Sequence, residues 1–298
     1  MKKLLIAISI WFSAAAWAQN ITVVSGAAVG AGMDTVARKV LKRYDELYGT
    51  TSVVITRTGA QGKIALNYLK ELPATAPKVL ATSQGHIINF DAADFERLVP
   101  LAMTTAQPMI LIVRRDFPAN NWDEFVDHAV KNPGRVSMGV FARASIYPWL
   151  IPMLERNRMT MNLIEQGTQN ITMSVASGDL DSLWTNASSL LGTGFEDRVK
   201  MIAVTSADPI PGVSRSILAG NNPKLGSVAF AQGFYTTDDV PLELRKVISD
   251  RLQNILNSKW AQDNLGHSGS VRVGGTPDAL MQMARQDWHG WQRHKHSK

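Results

Sequence analysis

Between Ile21 and Lys42 the sequence reads ITVVSGAAVGAGMDTVARKVLK, and its middle holds the residue types that receive an anion. Ser25, Gly26, Gly30 and Gly32 are small, so the backbone turns sharply there and leaves room above the turn. Met33 or Asp34 opens a helix with Val36, Val40 and Leu41 at helical spacing. The β-branched run Ile21 to Val24 ahead of the turn reads as a buried strand. A strand, a glycine-rich turn and a helix start present unpaired backbone N–H groups at the positive end of a helix dipole. That chemistry binds anions without transforming them. The same pattern also serves as a plain connection between a strand and a helix.

Other chemistries lack their residues. The chain has no cysteine, no HExxH pair and no Walker motif. Gly266-His267-Ser268-Gly269 misses a nucleophile elbow because Ser270 stands where a glycine belongs. Gly30-Ala31-Gly32 begins a dinucleotide fingerprint, but Thr35 takes the third glycine's place and the next strand ends in Thr56-Arg57 instead of an acid. No cofactor or metal is called for.

The elements that position the first turn repeat along the chain. Thr51–Thr56 is a second strand ending in Arg57-Thr58-Gly59-Ala60-Gln61-Gly62, and Lys78–Thr82 a third ending in Ser83-Gln84-Gly85. Leu98–Met103 and Pro108–Val113 read as two further strands, and Asn121–Lys131 as an amphipathic helix stopped by Asn132-Pro133-Gly134. A second cycle starts at Arg135–Val140, turns through Ala142-Arg143-Ala144-Ser145 and continues to a strand at Val199–Thr205. Val228–Tyr235 is extended, Pro241–Ser258 a long helix and Thr276–Trp291 the last. Strands alternating with helices predict parallel pairing with right-handed crossovers, in two α/β units.

The N-terminus carries an address. Lys2 and Lys3, the apolar run Leu4–Trp17 and the small residues flanking Trp17 form a secretory leader, with cleavage after Ala18. Of 298 residues 45% are hydrophobic and 19% charged, ordinary values for a chain with a sizeable core. Loss of Lys2 and Lys3 with the leader lowers the formal charge from +6 to +4. That mild excess suits an anionic ligand and lacks the basic runs of a nucleic-acid footprint.

An ordered set of short segments resembles a family, the periplasmic receptors of tripartite tricarboxylate transporters, or Bug-type proteins. Gly26 to Arg38 is similar to their first turn, and Thr56 to Gly62 to their second. Leu80-Ala81-Thr82-Ser83, Lys131-Asn132-Pro133-Gly134, Ser177-Gly178-Asp179-Leu180-Asp181, Ala203-Val204-Thr205 and Gly274-Gly275-Thr276-Pro277 follow in order. The resemblance implies a two-lobed type II periplasmic-binding fold, each lobe a sheet flanked by helices. It also implies capture of a di- or tricarboxylate or aromatic acid for a membrane permease. Some residues depart from the family's pattern: Met33 replaces a threonine, and Thr185-Asn186 an Asp-Asn pair. Gly139 to Tyr147 loses hydroxyls and gains Arg143 with Phe141 and Tyr147.

The resulting expectation is a non-enzymatic, monomeric α/β receptor with lobe one at 19–105 plus 230–298 and lobe two at 106–229. The chain should cross between lobes near Thr104–Gln107 and Ser227–Gln232. Its ligand residues are expected to be Gly30, Ala31, Gly32, Met33, Asp34, Ser83, Gln84, Arg143, Ala144, Ser145, Thr185 and Asn186. Asp34 is assigned to ordering the first turn; Arg143 reads both as a carboxylate clamp and as a surface arginine. The expected partners are a small carboxylate and the permease subunits, with no nucleic acid. A receptor feeding a membrane sensor, and a periplasmic hydrolase without a nameable nucleophile–base pair, are the alternatives.

Overall fold

The computed structural model describes residues 20–30, 32–140, 143–165, 171–187, 190, 194–206, 209–210, 213–218, 225, 229–266 and 272–296. Side chains are described throughout these segments except at 143–145, 171, 272 and 294–296. The leader, Ala31 and the side chains of Arg143, Ala144 and Ser145 therefore lie outside the described set.

The β-branched run at the start forms β1 (Thr22–Ser25), and the amphipathic stretch after it forms α1 (Gly32–Tyr48). The alternation continues through β2 (Val53–Thr56), α2 (Lys63–Glu71), β3 (Lys78–Ser83), the short α3 (Gln84–Ile87) and α4 (Ala92–Glu96). Where the sequence predicts two strands, the chain makes one, β4 (Leu98–Arg114). Thr104–Gln107 holds no glycine or Asx residue to turn the backbone, so the strand runs through. Pro108 is tolerated inside it because it marks a change of partner.

Next come α5 (Trp122–Lys131), β5 (Ser137–Val140), α6 (Arg143–Arg156), β6 (Asn162–Glu165), α7 (Ile171–Ala176), β7 (Ser182–Asn186) and β8 (Val199–Val204). The chain returns through β9 (Ala229–Thr237), α8 (Leu242–Leu256), α9 (Lys259–Leu265), β10 (Arg272–Val273) and α10 (Pro277–His296).

β1 pairs parallel with β2 and β3, and β5 parallel with β6 and β7. These two parallel groups are joined through antiparallel β9 and β4, in the order β2-β1-β3-β9-β4-β7-β5-β6. β4 pairs with β9 as far as Pro108, then with β7 and β8 from Met109 onward. One strand is thus common to both groups, and the sheet runs unbroken between them.

Helices cover both faces of each group. Around β1–β3, Val36, Val40 and Leu252 pack on one face and Leu66, Ile87 and Leu280 on the other. Around β5–β7, Trp122, Leu150 and Trp184 fill one face and Ile110, Val175 and Leu180 the other. Each such side chain contributes about 1.5–3 kcal/mol by leaving water. α10 touches both groups. Leu280 lies on Gly233 of β9, where a Cβ would come within 2.3 Å of it, and Gly290 lies on Pro148 of α6. Trp291 packs against the Trp184 core.

Candidate functional site

The first turn closes on itself. Asp34 is fully buried, and its carboxylate accepts hydrogen bonds from the Gly30 N–H (3.1 Å), Arg38 Nε (2.8 Å) and Thr56 Oγ1 (3.1 Å). An acid in the first turn of α1 thus reaches back past the helix start and ties the turn's own N–H to the helix. Burial alone would raise the Asp34 pKa, but bonds from Arg38, Gly30 and Thr56 outweigh it and hold the carboxyl below its usual range. Gly30 has φ +81°, a conformation that favours glycine, and it is exposed; Gly32 is exposed at the start of α1. A Cβ at either would meet nothing within 4 Å.

The second turn is left-handed. Gly59, Ala60, Gln61 and Gly62 all have positive φ, and the two non-glycine residues among them are exposed. Gly62 is needed for a further reason: a Cβ there would lie 2.8 Å from the Cβ of His86 on α3. His86 sits against this turn with its Nδ1 3.2 Å from Thr82 Oγ1, and burial lowers its pKa, so the ring is neutral.

The third turn opens onto a cavity of about 170 Å³. Ser83 ends β3 and precedes α3 without a side-chain capping bond. Gln84 is buried, and its Oε1 accepts from the Ala231 N–H of β9. Across the cavity stand Gln107 and Met109, where β4 changes partner, with Ile146 of α6 and Asn186 at the end of β7. Phe230 and Gln232 of β9 complete the floor. Ser83 and Asn186 both lie at carboxyl ends of strands, where ligands of open α/β sheets bind.

Ser83, Gln84 and Asn186 are therefore brought together, and they come from the two parallel strand groups. Other expected residues face elsewhere. Met33 is buried among Val36 and Val40, because helical periodicity turns it to the inner face of α1. Thr185 is buried on the opposite face of β7 from Trp184 and Asn186, as strand alternation requires. Gly30, Gly32 and Asp34 belong to the first turn and are not part of this cavity's lining. Ala31 and the side chains of Arg143, Ala144 and Ser145 fall outside the described residues. Among the described residues no His, Cys, Asp and Glu cluster could hold a metal, and no helix is long and apolar enough to cross a membrane.

Residues 36–173, from within α1 to within α7, match the family described as tripartite tricarboxylate transporter family receptor. Through this segment the chain is similar to that family. The overall fold agrees with solved structures. A TctC solute binding protein from Polaromonas, without ligand, matches with a TM-score of 0.80 at 16% identity, over 94% of this chain and 99% of that one. An R. palustris protein with adipate matches at 0.72 and 19%, over 92% and 95%. MatC from Rhodopseudomonas palustris with bound malate matches at 0.68 and 18%, over 92% and 98%. At these identities the likeness establishes the fold. No curated protein sequence matches the chain.

Within this receptor fold, sequence reasoning missed Gln107, Met109, Ile146, Phe230 and Gln232 as cavity residues. A signal for two of them was present. Gln107 interrupts an apolar run inside one expected crossing, and Gln232 ends the other.

Proposed function

We propose that this protein is a periplasmic solute-binding receptor that captures a small carboxylate for a tripartite tricarboxylate-type permease. The observation that carries the reading is the cavity where β4 changes partner. It is walled by Ser83 and Gln84 from one strand group and Asn186 and Ile146 from the other. Hydroxyl and amide donors suit a carboxylate's oxygens, and a site between two units holds its ligand as they close. The relatives solved with adipate and with malate support an acid as the ligand class. In this reading the lobes are 19–105 with 230–298, and 106–229, and β4 and β9 are the two crossings. Arg143 stands one helical turn before Ile146 and is the cation assigned to the ligand. Export removes residues 1–18.

Thermal unfolding of the mature protein against a library of carboxylates tests the reading. A true ligand at a hundred times its Kd adds about 2.7 kcal/mol of stability and raises the melting temperature accordingly. A library in which no acid shifts the transition, or turnover of ester substrates by the same samples, would displace the receptor reading.

A further inference from the structure

The imidazole of His86, on α3, stands where the backbones of the first and second turns meet. A Cβ at Gly26 of the first turn would lie 3.2 Å from its Nδ1 and 3.5 Å from the Gly62 Cα of the second. A Cβ at Gly62 would lie 2.8 Å from both the Cβ and the Cγ of His86. Both glycines are buried. Gly62 is also required by its positive φ, whereas Gly26 has no such φ, and its tightest neighbour is the ring.

The same nitrogen, Nδ1, is hydrogen-bonded to Thr82 Oγ1 at 3.2 Å. Thr82 and His86 flank Ser83, Gln84 and Gly85, and all three of those residues line the cavity. The bond therefore reaches across this wall of the cavity and ties the end of β3 to α3. Such ties matter here because α3 is short and Ser83 gives it no side-chain cap. Two other bonds hold the same wall: the Ala231 N–H donates to Gln84 Oε1, and Asn89 Nδ2 donates to the Gly85 carbonyl. The His86 side chain differs from these in also packing on the first and second turns. It is not itself among the lining residues.

We infer that His86 is a positioning residue for ligand capture: its Nδ1 edge holds Ser83, Gln84 and Gly85 in register with the first and second turns without touching the ligand. The inference rests on the carboxylate-receptor reading and adds to it a residue that acts through the wall.

Calorimetric titration of the mature protein at pH 7.5 with succinate, adipate, malate and benzoate identifies the acid that binds tightest, and variants are then compared on that acid. Thr82→Val removes the hydroxyl and keeps a β-branched side chain in β3; His86→Leu removes the nitrogen and keeps apolar bulk. Each is expected to weaken the acid by about fivefold or more, and the double variant no further, because both break one bond. His86→Asn places an amide where Nδ1 stands and is expected to return the affinity to within about twofold of wild type. Unchanged affinity in Thr82→Val overturns the inference and leaves the receptor reading standing. So does equal weakening by His86→Leu and His86→Asn, which would assign the effect to ring bulk. Losses that add in the double variant overturn it too, since two separate contacts would then be at work. Binding of none of these acids overturns both the inference and the receptor reading. Melting without ligand is followed for every variant, and Thr82→Val, which leaves the ring in place, decides the matter if His86→Leu does not fold.

Discussion

In the first turn the N–H of Gly30 is met by Asp34, four residues on, and that carboxylate is held in turn by Arg38 and Thr56. In the third turn Gln84 meets Ala231, 147 residues away, and the carbonyl of Phe90 just beyond α3 accepts from Trp288 Nε1, 198 residues away. Both turns follow a parallel strand and carry glycine. The first spends one of its free backbone donors on its own side chain. The third leaves Ser83 uncapped and reserves an amide for the cavity, because distant elements hold it in place. A glycine-rich turn is therefore an anion site only to the extent that its neighbours leave donors over.

The strongest way to sharpen this contrast is through α10, which supports the third turn. Asp287 precedes Trp288 there, and burial without an offsetting partner pushes its pKa up to about 7. Its neighbour Tyr235 has a buried hydroxyl without a hydrogen-bond partner among the described residues, and burial with the nearby carboxyl raises that phenol's pKa. Between about pH 4 and pH 7 the folded state keeps a proton on Asp287 that the unfolded chain has released, so this group's contribution falls as pH rises through that window. His86, with a lowered pKa, acts oppositely by favouring the fold as pH rises toward its unfolded pKa. Comparing Asp287→Asn with wild type cancels the histidine. The variant's advantage in urea unfolding should be near zero at pH 4 and reach about 2–4 kcal/mol by pH 8. A difference that stays flat with pH would mean that Asp287 is solvated or paired in solution.

The next effect belongs to the first turn. Asp34→Ala strands the Gly30 N–H and Thr56 hydroxyl and frees Arg38, and is expected to lower stability by about 1–3 kcal/mol at pH 7. The loss should shrink in acid, because a carboxyl with a lowered pKa stabilises above its unfolded pKa and ceases to do so as pH falls. If ligand affinity drops far more than stability does, the first turn is part of the binding surface and the contrast between the turns breaks.

Two glycines give the smaller effects. Gly62→Ala must adopt a positive φ and crowd the His86 Cβ, which should cost about 1–3 kcal/mol in the same unfolding assay. Gly32→Ala puts its methyl into open space at the start of α1 and should change stability by no more than about 0.5 kcal/mol. A large loss of ligand affinity in Gly32→Ala would show that the ligand occupies that space.

The sequence by itself determined the alternation of the longer strands and helices, the position of each small-residue turn and the carboxyl-end residues Ser83 and Asn186. These follow from periodicity and from residues a few positions apart, as Asp34 and Gly30 illustrate. Tertiary structure alone decided that Leu98–Arg114 is one strand with two sets of partners, because pairing depends on edges that β7, β8 and β9 supply from far along the chain. It also decided that Met33 and Thr185 turn inward while Gln107 and Phe230 join the cavity. A side chain's periodicity reports that one face is buried; whether that face meets a core or a cleft is fixed by what packs against it.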